Sequence, residues 1–263
     1  MVGGYVRVIR HHGVRAERVR TCIGRTVTEE LVEPRPDDVR ELTWRLLVAT
    51  GTGALVGGVI GGIGGRLVMF VLRLGSSDAV IGSTTDDGFT IGIFTSQSLF
   101  LITVTMGIGA ATGVVYFIIR SALPRRGRAA IFSSFAGLYV GAGVINPTTF
   151  DFQALDPKSF SVAAFILMPA IAALLIALIV ERLLRVEVWS KRWLTILLGI
   201  GALPLVPVFP VVIVVFLVGL VLRRQPRVRE PLLSVARVAV PVLVIALGLK
   251  SGVELWNDAS ALL

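Results

Sequence analysis

The stretch GTGALVGGVIGGIGGRLVMF, Gly51 to Phe70, decides how the rest of the chain is read. Its glycines admit two interpretations: the phosphate-cradling turn of a dinucleotide-binding fold, or the smooth face of a membrane-crossing helix. A dinucleotide turn needs a strand before it, a helix after it and an acidic residue about 20 positions on, inside a soluble parallel-sheet unit. Asp78 lies near that distance beyond Gly57, but the intervening chain is apolar and no strand–helix alternation follows. The dinucleotide reading fails on context. Gly53, Gly57, Gly61 and Gly65 instead recur at every fourth residue, with Gly58 and Gly62 beside them. On a helix this makes a ridge without side chains. A neighbouring backbone can approach it closely, so that dispersion and weak interhelical hydrogen bonds replace the hydrophobic drive that lipid does not supply.

The composition agrees. Of the 263 residues, 54% are hydrophobic and 16% charged, and mean hydropathy is +0.83; soluble domains carry about 25% charged residues. Long apolar runs separated by short charged clusters are the pattern of a multi-span membrane protein. The formal charge of +9 does not point to nucleic acid, because the basic residues fall in clusters between apolar runs rather than on one folded face. Cys22 is the single cysteine, and His11 and His12 are the only histidines, both ahead of any span. An internal disulfide, a thiolate cage and a histidine-ligated metal or haem within the bilayer are thereby excluded, and no cofactor is expected.

The expected architecture is an all-α polytopic bundle of five full spans plus a short proline-rich helical hairpin. Residues 1–37 form a basic cytoplasmic tail, partly disordered, whose arginines (Arg7, Arg10, Arg15, Arg18, Arg20, Arg25) can also meet anionic lipid headgroups. The transmembrane domain is 38–263. Asp38 and Glu41 suggest a capping box after Pro36, and the spans fall at about 46–66, with the helix continuing towards Arg73, then 98–119, 129–146, 160–180 and 233–252. Segment 193–222 is too long for one span and short for two. Turning at Pro204, Pro207 and Pro210, it keeps Arg223, Arg224, Arg227 and Arg229 inside, as the positive-inside rule asks. The N-terminus is then cytoplasmic and the C-terminus outside, and Trp44, Trp189, Trp193 and Trp256 fall at membrane interfaces. Small residues recur at fourfold spacing elsewhere: Thr105, Gly109 and Gly113; Ser133, Gly137 and Gly141; Pro169, Ala173 and Ala177. Such ridges serve one compact bundle or a homo-oligomer interface, and the spacing does not choose.

Candidate polar groups gather on the expected outer side. Arg66 and Arg73, seven residues apart, share a face of a continued helix. The loop AVIGSTTDDGFTIGIFT, 79–95, reads as a small β-hairpin turning at Asp86, Asp87 and Gly88, and Asp151 stands in the next outer loop. The arginines pair with these carboxylates to fasten loop to bundle, or form an anion or lipid-headgroup site, or simply snorkel to the interface. No acidic residue falls within an expected span, no G-x-S-x-G or H-E-x-x-H occurs, and no catalytic residue is assigned.

At GGRLVMF (64–70), TTDDGFTIGIFT (84–95) and DFQALDP (151–157) the chain resembles a group of uncharacterised multi-span proteins of high-GC Gram-positive bacteria. The resemblance covers about 46–185 and implies a plasma-membrane location. It assigns no activity and carries over no functional residue. Abundant helix-packing features favour a non-enzymatic membrane scaffold or complex subunit, packing against a membrane-protein partner or a second copy. The alternative is an uncoupled transporter or channel for a small anion or lipid-like solute, which predicts a cavity reaching past Arg66. An outer-leaflet enzyme would need Asp86, Asp87 and Asp151 to converge.

Overall fold

The computed structural model describes residues 36–76, 96–148, 157–185, 198–199, 209–224 and 226–262. All regular structure there is helical. A long first helix comprises α1 (Pro36–Val56), a π-helical segment (Gly57–Gly64) and α2 (Gly65–Gly75). Next come α3 (Ser96–Ile119), α4 (Arg128–Val144), α5 (Lys158–Arg185), α6 (Phe209–Arg224) and α7 (Pro226–Leu262).

Four helices among the described residues are long and apolar enough to cross a membrane: Val39–Gly75, Ser98–Ile119, Lys158–Arg185 and Pro231–Leu262. The expectation of five full spans is therefore corrected to four, because the segment expected at 129–146 forms only the 17-residue α4. At 1.5 Å per residue it measures about 26 Å, against about 30 Å of hydrocarbon. Both of its ends have local causes. It starts after Gly127, whose φ of 86° is the left-handed conformation that glycine adopts freely. It stops ahead of Asn146-Pro147, where the residue before proline is driven out of the helical region, and Asn146 Oδ1 accepts hydrogen bonds from the Thr148 N–H and Oγ1 at 3.0 and 2.8 Å. The expected β-hairpin has no support, since the described residues contain no strand; its own loop lies outside them, as does most of the proline-rich turn of 193–222.

The first helix begins at Pro36, two residues ahead of the expected cap at Asp38, and Glu41 pairs with Arg45 one turn on. Trp44 is 5% exposed and packs into the main core cluster with Val48, Tyr116, Phe132, Ile176 and Val180. Trp256, 75% exposed, stands free.

Two helix pairs dominate the packing: α1 with α3, and α4 with α5. In the first, a Cβ built on Gly53 would lie 2.2 Å from the Gly109 carbonyl oxygen, one on Gly109 2.2 Å from Gly53 O, one on Gly57 2.3 Å from Thr105 O, and one on Gly113 2.1 Å from Ala49 O. Four residues forward on α1 match four back on α3, the signature of an antiparallel pair in fixed register. Each glycine Hα is thus aimed at a carbonyl across the seam, the arrangement of Cα–H···O contacts. In the second pair, Gly137 faces Ala170 and Ile166, Gly141 faces Ile166, and Ser133 Oγ donates to Ala170 O at 2.8 Å. Gly61 meets only the Thr105 side chain, at 3.1 Å, and Gly65 touches nothing nearer than the end of Met168, at 3.8 Å.

Candidate functional site

Between the two tight pairs lies a cleft of about 870 Å³. Its back wall is the π segment and α2, one side is α3 from Leu101 to Thr112, the other α4 from Ala136 to Val144, and its base is α5 from Ala164 to Ile176. Although α3 and α4 are consecutive and both border the cleft, they are not among the helix pairs that pack along their lengths. They meet near the turn that joins them, where the Tyr116 and Phe132 rings stand 5.0 Å apart. From there they diverge, leaving a wedge. Ile108, Val140 and Val144 border the wedge and are 61%, 41% and 43% exposed, so its mouth faces whatever surrounds the bundle.

Local sequence explains why the wedge is open here. GGVIGGIG in the π segment removes the side chains that would fill the back wall, and the wider π turn persists until Gly65, whose N–H reaches both Gly61 O and Gly62 O as α spacing resumes. Single-turn π bulges cluster at functional sites; here the irregularity runs over eight residues and faces the cleft. Pro169 interrupts α5 on the opposite wall. The lining is otherwise Leu, Ile, Val, Met and Phe with Thr105 and Thr112, and both of these hydroxyls are turned back to carbonyls of their own helix. Arg66 is the one charged residue among the described residues that line it; the side chain is half-buried, with Nε and Nη2 shielded from solvent.

The narrow end of the wedge closes on a charge cluster. Glu181 of α5 receives Arg128 on Oε2, while Tyr116 donates its hydroxyl to Oε1 at 3.1 Å and Arg120 Nε stands 3.8 Å from the same oxygen. The side chains of Glu181, Arg128 and Arg120 are only 13%, 16% and 22% exposed. One carboxylate therefore ties α3, α4 and α5 together. Arg120 lies one residue beyond its span, and burial lowers its pKa from the ordinary value, with Glu181 opposing. Arg120 also stands over the Phe117 ring, 5.9 Å from its centroid.

Of the residues singled out in sequence, Arg66 lines the cleft, whereas Arg73 lies two turns further on and is not part of the lining. Asp86, Asp87 and Asp151 lie outside the described residues. Gly53, Gly113, Gly137 and Gly141 sit in helix seams; Gly57 and Gly109 serve both seam and cleft, and Gly61 and Gly65 belong to the cleft wall. Glu181 was missed because the expected span ended at 180, which assigned it to the following basic cluster. The signal was present: Tyr116 and Arg120 share a helix face by their fourfold spacing, and an acid at the end of another span is a natural partner for them. Comparison with protein families, with curated proteins and with solved structures gives no match.

Proposed function

We propose that this chain is a multi-pass plasma-membrane protein that admits a lipid-like solute into an intramembrane cleft, without coupling to an ion gradient. The observation that carries the reading is the wedge between α3 and α4: about 870 Å³ of apolar space bordered by exposed Ile108 and Val140. Ligand sites span about 300–1,000 Å³ and are mostly apolar with a few placed polar groups, and protein interiors otherwise leave few voids. Exposed Leu, Ile and Val on every long helix, and above all along α7, make hydrocarbon the natural surroundings of the mouth. Glu181, at the end of a span, is engaged by Arg120, Arg128 and Tyr116, which argues against its carrying a coupled ion.

Orientation follows from charge. Arg45, Arg120 and Arg128 act on one another electrostatically at the end where the wedge is closed, and Arg125 and Arg126 are exposed in the adjoining turn. The positive-inside rule makes this end cytoplasmic, and the Arg66 end then belongs to the outer leaflet. The scaffold reading relied on glycine ridges available to a partner; the close approaches of Gly53, Gly57, Gly109, Gly113 and Gly137 are spent within the chain.

The test is native mass spectrometry of the chain extracted in mild detergent, beside Val140→Trp, which places an indole in the mouth. Wild type should retain lipid that Val140→Trp loses. A wild-type chain free of lipid but bound to a stoichiometric second protein would overturn the reading in favour of the scaffold.

A further inference from the structure

The wedge has the depth of one leaflet, and Arg66, the one charged residue among the described residues that line it, stands towards its open end. The lining runs from Leu101 to Thr112 on α3 and from Ala164 to Ile176 on α5. At helical rise these stretches measure about 16 and 18 Å, close to half of a hydrocarbon core of about 30 Å. The floor is set one turn beyond, by Tyr116 on α3 and Val180 on α5, both 0% exposed. The rim is set by register. Gly53 is level with Gly109 and Gly57 with Thr105, and through the π segment the register slips so that Gly61 still meets Thr105 and Gly62 meets Ile102; carried onward from there, Arg66 comes level with the first turn of α3.

From this geometry we infer that the cleft takes an anionic amphiphile from the adjoining leaflet, its acyl chain in the wedge and its charged head at the Arg66 guanidinium. The inference rests on the lipid-like reading above and narrows it by charge. A free water-borne anion is disfavoured by the mouth, because Ile108, Val140 and Val144 offer it no polar path. A molecule already dissolved in hydrocarbon enters sideways between α3 and α4 at no such cost. An arginine at the rim then attracts an anionic head in a medium where charge interactions are poorly screened.

The test uses three long-chain probes with a photoreactive group at the chain end: an alkyl phosphate, an alkyl phosphocholine and an alkyl alcohol. Each is presented to full-length protein in phosphatidylcholine nanodiscs. Labelling of Thr112, Ala172 or Ile176 by the phosphate probe should exceed that by the alcohol at least tenfold. Arg66→Gln should abolish this preference while leaving alcohol labelling intact, which also shows that the variant is folded. Arg66→Lys should keep most of it. Equal labelling by all three probes in wild type overturns the anionic inference and leaves the cleft reading standing. Absence of floor labelling by every probe removes both. Displacement of the alkyl phosphate by millimolar inorganic phosphate assigns the site to a free anion and overturns the amphiphile.

Discussion

Gly109→Ala tests the α1–α3 seam, and Gly107→Ala on the same helix is its control. A Cβ at position 109 would stand 2.2 Å from Gly53 O and 2.7 Å from Gly57 Cα, where ordinary contact begins at 3.4 Å. Both obstacles are backbone, so neither can rotate away. The helices must part by about 1 Å, which on a dispersion potential forfeits a quarter to a half of each contact along the seam. If the seam holds on the order of 40 atom contacts at about 0.15 kcal/mol each, as one buried leucine does, the loss is about 1.5–3 kcal/mol. Weakening the Cα–H···O contacts adds about 0.5–1 kcal/mol each. The expected cost is about 3 kcal/mol, or a fall in Tm of about 6–12 °C by the scaling of chains of this size. At position 107 nothing lies within 4 Å, so alanine gains about 0.5–1 kcal/mol of helix propensity. The assay is the fraction of detergent-solubilised protein that stays monodisperse on size exclusion after heating. Equal Tm values for the two variants would refute the argument that backbone contact, rather than helix content, holds this pair.

Glu181→Ala leaves Arg120 and Arg128 facing each other with side chains 22% and 16% exposed. The expected destabilisation is about 3 kcal/mol, the lower end for a buried pair broken on one side. Adding Arg128→Met should recover more than half of it in the same heating assay; no recovery would mean that the carboxylate acts otherwise than by pairing. Tyr116→Phe removes one hydroxyl donor 3.1 Å from Glu181, and a loss of about 1 kcal/mol is expected; a loss above about 3 kcal/mol would show that more than this bond is involved. Gly127→Ala forces a β-carbon into φ 86°, for about 1–2 kcal/mol, and Gly127→Asn should cost visibly less because asparagine tolerates that region. For orientation, single cysteines at Ser121 and Ser76 in a Cys22→Ser chain should react with an impermeant maleimide from opposite sides of intact cells, Ser76 from outside. Reaction from one side alone would invert the membrane reading.

Much of the bundle was legible because its causes are local. Fourfold glycine spacing at Gly53 and Gly57, and again at Gly109 and Gly113, marks packing faces without saying that the two meet, as they do, and 98–119 matches the candidate span Ser98–Ile119. What the spacing could not separate was seam from cleft. Gly57 touches backbone while Gly65, two turns later on the same ridge, meets only the end of the Met168 side chain; the difference is the π segment, whose extra residue per turn swings the ridge round. Hydropathy likewise cannot see that α4 falls short, since the cause is Asn146-Pro147 rather than any loss of apolar residues. The inward packing of Trp44 was not legible either: position along the membrane normal says nothing about which way an indole turns within the bundle.

The cleft and the charge cluster have one origin. Small residues make two tight helix pairs, α1 with α3, closed by backbone-to-backbone contact, and α4 with α5, closed by Gly137 and Gly141 against Ala170 and Ile166. Joining the pairs is left to side chains. At one end the short turn around Gly127 brings α3 and α4 together, and there Tyr116, Phe132 and the Glu181 cluster fill the space. At the other end, among the described residues, the π segment presents glycines to the cleft, and α4 ends at Val144. Two rigid pairs fixed at one end diverge at the other, and in a bilayer the gap between them is filled by hydrocarbon rather than closed by the hydrophobic effect. Position therefore gives Arg66 its meaning. The same arginine at the closed end would be one more member of an ion cluster; at the open end it is the one charged residue among the described residues lining the cleft, beside the proposed path past Val140 and Ile108.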